Sequence, residues 1–158
     1  MQSFRVIKPT AALVPYVRHY WVLSDDALAP VSERTLPVGC VQMVFHRGRQ
    51  LFSLTEGRLQ PSSFISGQAF GYSDVESTGM LEMIVVVFQP FAAKAFLHMP
   101  VSEFRGMNVN TEETGDPLLV DLGRRIADMP DRVACIRLIE EFLLSRLYAC
   151  LLYTSDAA

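Results

Sequence analysis

Residues Met80 to Phe88 read MLEMIVVVF, apolar throughout except for Glu82. The β-branched valines and isoleucine favour an extended backbone. A strand that is apolar on both faces has no side to give to water, so it belongs at the centre of a sheet with material packed on each side. Its apolar heart, Met83 to Phe88, is too short to span a bilayer, so protein and not lipid must bury it. The rest of the chain has to supply that cover.

Shorter segments of strand character recur about every ten residues on the N-terminal side of this run, with Gly and Pro between them. Tyr20 to Leu23 (YWVL) is aromatic and β-branched, and Val41 to His46 (VQMVFH) alternates Val41, Met43 and Phe45 against Gln42, Val44 and His46. Leu51 to Thr55, Ser63 to Ser66 and Tyr72 to Ser77 complete the set. Residues 9–17, PTAALVPYV, read as an entry turn and a short helical piece, SDDALAPVSE as a polar loop, and Leu36-Pro-Val-Gly39 as a turn. Ten Phe, five Tyr and nine each of Gly and Pro suit such a turn-rich β architecture better than a helical bundle. The spacing predicts a small antiparallel barrel or sandwich over residues 17–89.

From residue 90 the texture changes to helices. Pro90 stands at a first helical position before FAAKAFLHM, and Pro100 stops that helix. Asp116-Pro117 is an N-cap followed by proline, ahead of Leu118, Leu119, Leu122 and Ile126 at helical spacing. Asp131 caps a last helix in which Val133, Ile136, Ile139, Leu143 and Leu147 recur every three or four residues. The expected class is therefore α+β, one domain over residues 4–148, with helices over 90–148. Residues 149–158 depart from the pattern and are expected to be a tail foreign to the natural protein.

The chemistry in the sequence is sparse. With 14 basic and 17 acidic residues the formal charge is −3, so no global basic field holds a polyanion. Cys40, Cys135 and Cys150 are odd in number and far apart, which argues for a reducing, cytoplasmic setting and against disulfides or a zinc site. His19, His46 and His98 stand singly, with no H-x-H pair for a metal. There is no G-x-S-x-G, no G-x-G-x-x-G and no P-loop, so neither a catalytic centre nor a cofactor is expected.

What remains is a set of polar residues beside aromatic ones on strands: Trp21, Gln42, His46, Gln68 and Glu82. A barrel can enclose one small ligand between aromatic walls, oriented by a few placed polar groups. Arg34, in the loop before the Leu36-Pro37 turn, suits an acidic ligand group through a charge-assisted bond. The plainer reading makes Gln42 and His46 solvent-facing, Trp21 ordinary core and Arg34 a solvated loop charge. The last helix raises a second question, since Ile136, Ile139, Leu143 and Leu147 form a stripe while Cys135, Leu138, Phe142 and Leu144 widen the apolar surface. Such a helix packs between the barrel and another helix, or gives one face to a partner subunit.

Taken in order, Pro9 with Leu13-Val-Pro-Tyr-Val17 and Tyr20-Trp21, Arg34-Thr-Leu-Pro-Val-Gly39, Val44-Phe45, Ile65-Ser-Gly-Gln68, Val87-Phe88-Gln-Pro90, Pro100-Val-Ser-Glu103 and Arg132 with Glu140 resemble the N-terminal sensor domain of AraC-type transcriptional regulators, in the DUF6597 subgroup. The resemblance covers residues 4–148 and departs at Val38, where the subgroup has an acidic residue. It implies a cupin-like β-barrel that binds a small-molecule effector, followed by helices that support a homodimer through Ile136, Ile139, Leu143 and Leu147. It also implies that DNA is read by a helix-turn-helix part that this stretch stops short of, and that no membrane is involved. A metal-dependent cupin-like enzyme and a purely structural dimerisation module are the alternatives.

Overall fold

A computed structural model describes the chain apart from residues 1, 27–31, 36–38, 68–70, 72, 100–105 and 158, and the side chains of residues 35 and 153–157. Among the described residues ten strands precede two α-helices: β1 (Gln2–Ile7), β2 (Val17–Asp25), β3 (Ser32–Thr35), β4 (Gln42–His46), β5 (Phe52–Ser53), β6 (Arg58–Leu59), β7 (Ser63–Ser66), β8 (Ser73–Glu76), β9 (Leu81–Phe88), β10 (Asn108–Asn110), α1 (Pro117–Asp128) and α2 (Arg132–Ala157). The α+β class with antiparallel sheets and C-terminal helices holds, but the barrel does not close. The strands form a six-stranded sheet in the order β1-β2-β9-β4-β7-β10 and a four-stranded sheet in the order β3-β8-β5-β6. Closure needs a ladder joining the edge strands, and among the described residues none links β1, β10, β3 or β6 to one another.

The apolar run lies where its composition demands. β9 sits between β2 and β4, pairing Val22 with Ile84 and Phe45 with Ile84 on its two sides. Its side chains alternate between two cores. Ile84, Val86 and Phe88 join Tyr20, Val22, Met43, Phe45 and Ile65 under the helices, whereas Met83, Val85 and Val87 join Val44 and Phe64 on the opposite face. A sheet buried on both sides needs apolar residues at consecutive positions, which is what MIVVVF supplies.

Helix α1 begins as the sequence predicts: the Asp116 side chain accepts a hydrogen bond from the Leu119 N–H, Pro117 opens the first turn, and Leu119, Leu122 and Ile126 are buried. It packs tightly on β7, since a Cβ added at Gly123 would lie 2.6 Å from the Ser63 hydroxyl. That hydroxyl is in turn 2.6 Å from the Thr111 hydroxyl, in a buried pair. Asp131 accepts from the Val133 N–H at the start of α2, as expected of a cap. The helix continues to Ala157, through residues expected from sequence to be a foreign tail.

Several sequence expectations need correction. FAAKAFLHM forms no regular helix, only a 3-10 turn at Ala93–Ala95. Phe91 has φ +65°, a left-handed backbone that breaks helical continuity at the start, and Phe96 and Leu97 then turn inward to the core. Arg34 lies on β3 and not in a loop, because Ser32–Thr35 pairs with β8. β1 was not anticipated, nor was β10. The stripe Ile139, Leu143 and Leu147, with Ile136 beside it, packs into the chain's own core between the large sheet and α1. Ile139, Leu143 and Leu147 are thus buried within the chain, and Ile136 is partly buried.

Candidate functional site

Cross-strand register brings three of the predicted ligand residues onto one face of the large sheet. Directly opposed residues of an antiparallel pair share a face, so the ladders define continuous rows. One row runs Val6, Trp21, Val85, Val44, Phe64, and the next runs Phe4, Leu23, Met83, His46. A third runs His19, Val87, Gln42, Ser66. Trp21, Gln42 and His46 therefore line the face turned away from the helices, in a wall otherwise made of Val44, Phe64, Met83, Val85 and Val87. Leu51, which leads into the four-stranded sheet, packs against this wall.

His46 is the most constrained polar group there. Only 4% of it is exposed, and its ring lies 6.2 Å from that of Phe64. Nε2 is 2.9 Å from Gln60 Oε1, an acceptor, so this nitrogen is assigned the proton. Nδ1 is then a bare acceptor, cut off from water and without a hydrogen-bond partner. Burial pushes the pKa below its ordinary 6.5, and the Gln60 bond opposes this only in part. The neutral ring thus keeps one lone pair unused in apolar surroundings, an arrangement costing about 1–3 kcal/mol. Trp21 is half-buried and touches Phe4, with ring centroids 5.7 Å apart. Cys40 borders the same wall and accepts a long hydrogen bond of 3.8 Å from the Arg18 guanidinium.

The other predicted residues stand elsewhere. Glu82 points to the helix side, where its carboxylate accepts from Arg47 and, at 3.0 Å, from Arg132 Nε, while Arg47 also donates to the Met129 carbonyl. Glu82 is thereby a junction between β9, the segment after β4, the α1–α2 link and the first turn of α2. Arg34 is exposed on the small sheet and pairs with Asp74 at 3.0 Å. Gln68 and Val38 lie outside the described residues.

Two further polar anchors stand on the helix side, through pairings that the sequence reading did not make. The Tyr20 hydroxyl donates to Glu140 Oε2 at 3.1 Å, and the Thr10 N–H donates to the same oxygen at 2.9 Å. Burial first, and the Glu140 carboxylate second, push the Tyr20 pKa far up. Arg146, 6% exposed, donates to Asp116 Oδ1 at 2.7 Å and to the Phe96 carbonyl at 3.1 Å, and lies over the Phe142 ring. A charged residue at helical spacing inside the apolar arc of Leu143 and Leu147 is the sequence signal that marks it.

Among the described residues no group of three His, Cys, Asp or Glu side chains is placed to hold a metal ion. None of their helices is long and apolar enough to cross a membrane. Surface clefts border α1, one of about 470 Å³ lined by Glu112, Asp116, Asp121 and Arg124. Two of its carboxylates are already engaged, Glu112 with Arg124 and Asp116 with Arg146.

A family model described as Domain of unknown function (DUF6597) matches residues 5–110, which ends with β10 and leaves α1 and α2 beyond the matched span. No curated protein matches the sequence. Among solved structures, the chain is similar to the crystal structure of CoII HppE in complex with Tris buffer, with a TM-score of 0.41 at 10% identity. That match covers 55% of this chain and 53% of the other, about half the length of that protein.

Proposed function

We propose, from the premise that the chain belongs to the DUF6597 family, that it is the regulatory sensor of an AraC-type transcription factor. In this reading it takes up a small effector on the sheet face opposite the helices, works as a homodimer in the cytoplasm and catalyses no reaction. His46 carries the reading: a neutral imidazole set in an apolar wall beside Trp21 and Gln42, with one acceptor nitrogen unmet. An unsatisfied buried acceptor is retained against its cost where some state of the protein uses it. A ligand with an apolar body and one N–H or O–H donor would use it, once the wall of Val44, Phe64, Met83 and Val85 parts to admit it.

The same strands carry a route outward. Trp21 and Met83 face the wall, while their neighbours Tyr20 and Glu82 hold α2 through Glu140 and Arg132. An effector that respaces β2 and β9 alters both anchors together, and so biases the stance of α2. DNA contact belongs, in this reading, to a helix-turn-helix part outside residues 1–158.

A thermal-shift screen of metabolites tests this, since a ligand that binds only the folded state stabilises it by about 2.7 kcal/mol at a hundred times its Kd. The expected hit shifts the wild type and not a His46→Leu variant. If every compound leaves the wild type unmoved, the sensor reading is lost. A structural module without ligand is then preferred, as the dense packing of Val44, Phe64, Met83, Val85 and Val87 favours.

A further inference from the structure

The homodimer in the reading above needs a surface, and Ile139, Leu143 and Leu147 of the helix stripe are buried inside the chain. We infer that the surface is the outer edge of β1, which joins the same edge of a second copy, antiparallel, to make one continuous sheet across the dimer. Among the described residues the two sheets have four edge strands: β1, β10, β3 and β6. Edge strands present unpaired backbone N–H and C=O groups, and proteins blunt them with shortness or charge. Three of the four are blunted. β10 is three residues flanked by asparagine on both sides of Val109, β6 is two residues beginning with Arg58, and β3 is four polar residues including Glu33 and Arg34.

β1 is unprotected by comparison. It runs six residues, QSFRVI, paired with β2 along its whole length, with no proline inside it. Phe4 and Val6 are 59% and 57% exposed, and both lie on the face that continues through Trp21 and Leu23 into the buried wall. The apolar wall thus runs out to this edge and ends there uncovered. Another strand satisfies an open ladder along its whole length, and the sequence of β1 accepts itself as that strand. With Phe4 on the twofold axis, Phe4 meets its symmetry mate, Gln2 meets Val6, and Ser3 meets Arg5. Aromatic pairs across strands are favourable, and no like charges are opposed. The register one pairing step away, centred on Arg5, sets Arg5 against Arg5, and like charges directly opposite are destabilising. Self-pairing also places each Phe4, already against Trp21, beside the partner's copy, so the two ligand walls become one.

Analytical ultracentrifugation of residues 1–158 over a concentration series tests the interface, alongside Phe4→Lys and an oxidative cross-linking pair, Phe4→Cys and Arg5→Cys, both in a Cys150→Ser background. The expected result is a wild-type dimer, at least tenfold weaker association of Phe4→Lys with an unchanged far-UV circular dichroism spectrum, and a disulfide dimer for Phe4→Cys but not for Arg5→Cys. The cross-link decides the matter if Phe4→Lys folds poorly. A wild-type dimer that Phe4→Lys leaves intact, with no Phe4→Cys cross-link, overturns the β1 edge and leaves the homodimer standing. A wild type that stays monomeric at high concentration overturns both.

Discussion

Replacing Arg146 with methionine isolates the largest buried electrostatic element of the helix side. Methionine keeps an unbranched apolar stem against Phe142 but removes the donor to Asp116 Oδ1 and to the Phe96 carbonyl. Both partners of the ion pair are more than nine-tenths buried, at 5% and 7% side-chain exposure. Removing one half of such a pair costs about 3–5 kcal/mol, because the remaining charge is stranded. For a chain of this size that corresponds to a fall in Tm of about 6–20 °C. The pH dependence gives a second, sharper readout. Burial alone would raise the Asp116 pKa, but the Arg146 bond and charge, the Leu119 N–H and the nearby His98 outweigh it and hold the carboxyl below its ordinary 3.8. In the wild type this contribution is therefore present above pH 3.8 and is lost as pH falls through the lower folded value. In the variant burial goes unopposed by Arg146, so the folded state now prefers the protonated acid and the deficit shrinks as pH drops from 7 toward 4. Urea unfolding followed by far-UV circular dichroism measures both effects. An Asp116→Asn/Arg146→Met double variant should regain at least half the loss. A single variant within about 1 kcal/mol of wild type at pH 7, or a deficit that fails to shrink in acid, refutes the reasoning.

Other outcomes follow from the sheet. His46 is held below its ordinary 6.5, so its contribution to stability is full above that value and is lost as pH falls beneath it, with a slope of at most about 1.4 kcal/mol per pH unit; His46→Leu should flatten this part of the profile, and an unchanged slope between pH 7 and 5.5 counts against a buried neutral ring. Tyr20→Phe removes one of the two donors to Glu140 Oε2, leaving the Thr10 N–H, and should cost about 1–3 kcal/mol, with faster amide exchange in the middle of α2; exchange rates equal to wild type would contradict the anchor. Alkaline difference spectra should show Tyr20 still protonated until the protein unfolds, since burial and Glu140 both raise its pKa. Gly48→Ala puts a Cβ 2.6 Å from the Met80 carbonyl oxygen, a backbone atom that cannot step aside; a loss of about 1–3 kcal/mol is expected, and a neutral result by the same unfolding assay would show that the segment after β4 can move away from β9.

The central strand was legible because MIVVVF leaves no face for water, and α1 because Asp116, Pro117 and the leucine spacing agree with one another. β3 was not, since SERT lies on an exposed small sheet and needs no apolar alternation to form. β1 escaped for a related reason: its alternation of Phe4 and Val6 is brief and buries nothing fully. FAAKAFLHM has helical composition, and only the left-handed Phe91 and the inward turn of Phe96 and Leu97 overrule it. The site was half legible. Residue types picked out Trp21, Gln42 and His46, but their common face comes from pairings between β2, β9 and β4 that no local pattern encodes. Glu82 is a polar strand residue like Gln42 and His46, but alternation puts it on the face of Ile84 and Val86, opposite His46.

The pairing of β2 with β9 also sets the order in which the molecule can assemble. Val22 meets Ile84, and Thr10 meets Glu140, 130 positions further along. Contacts of such sequence separation carry a high loop-closure cost before they return any stability, and proteins dominated by them fold slowly. During synthesis β2 waits for β9, and the Thr10–Tyr20 end of the sheet waits again for α2. In that interval MIVVVF is a bare, uncharged strand with strong association tendency. Glu82 puts a charge at the start of this run, the placement by which natural sequences guard unavoidable apolar strands.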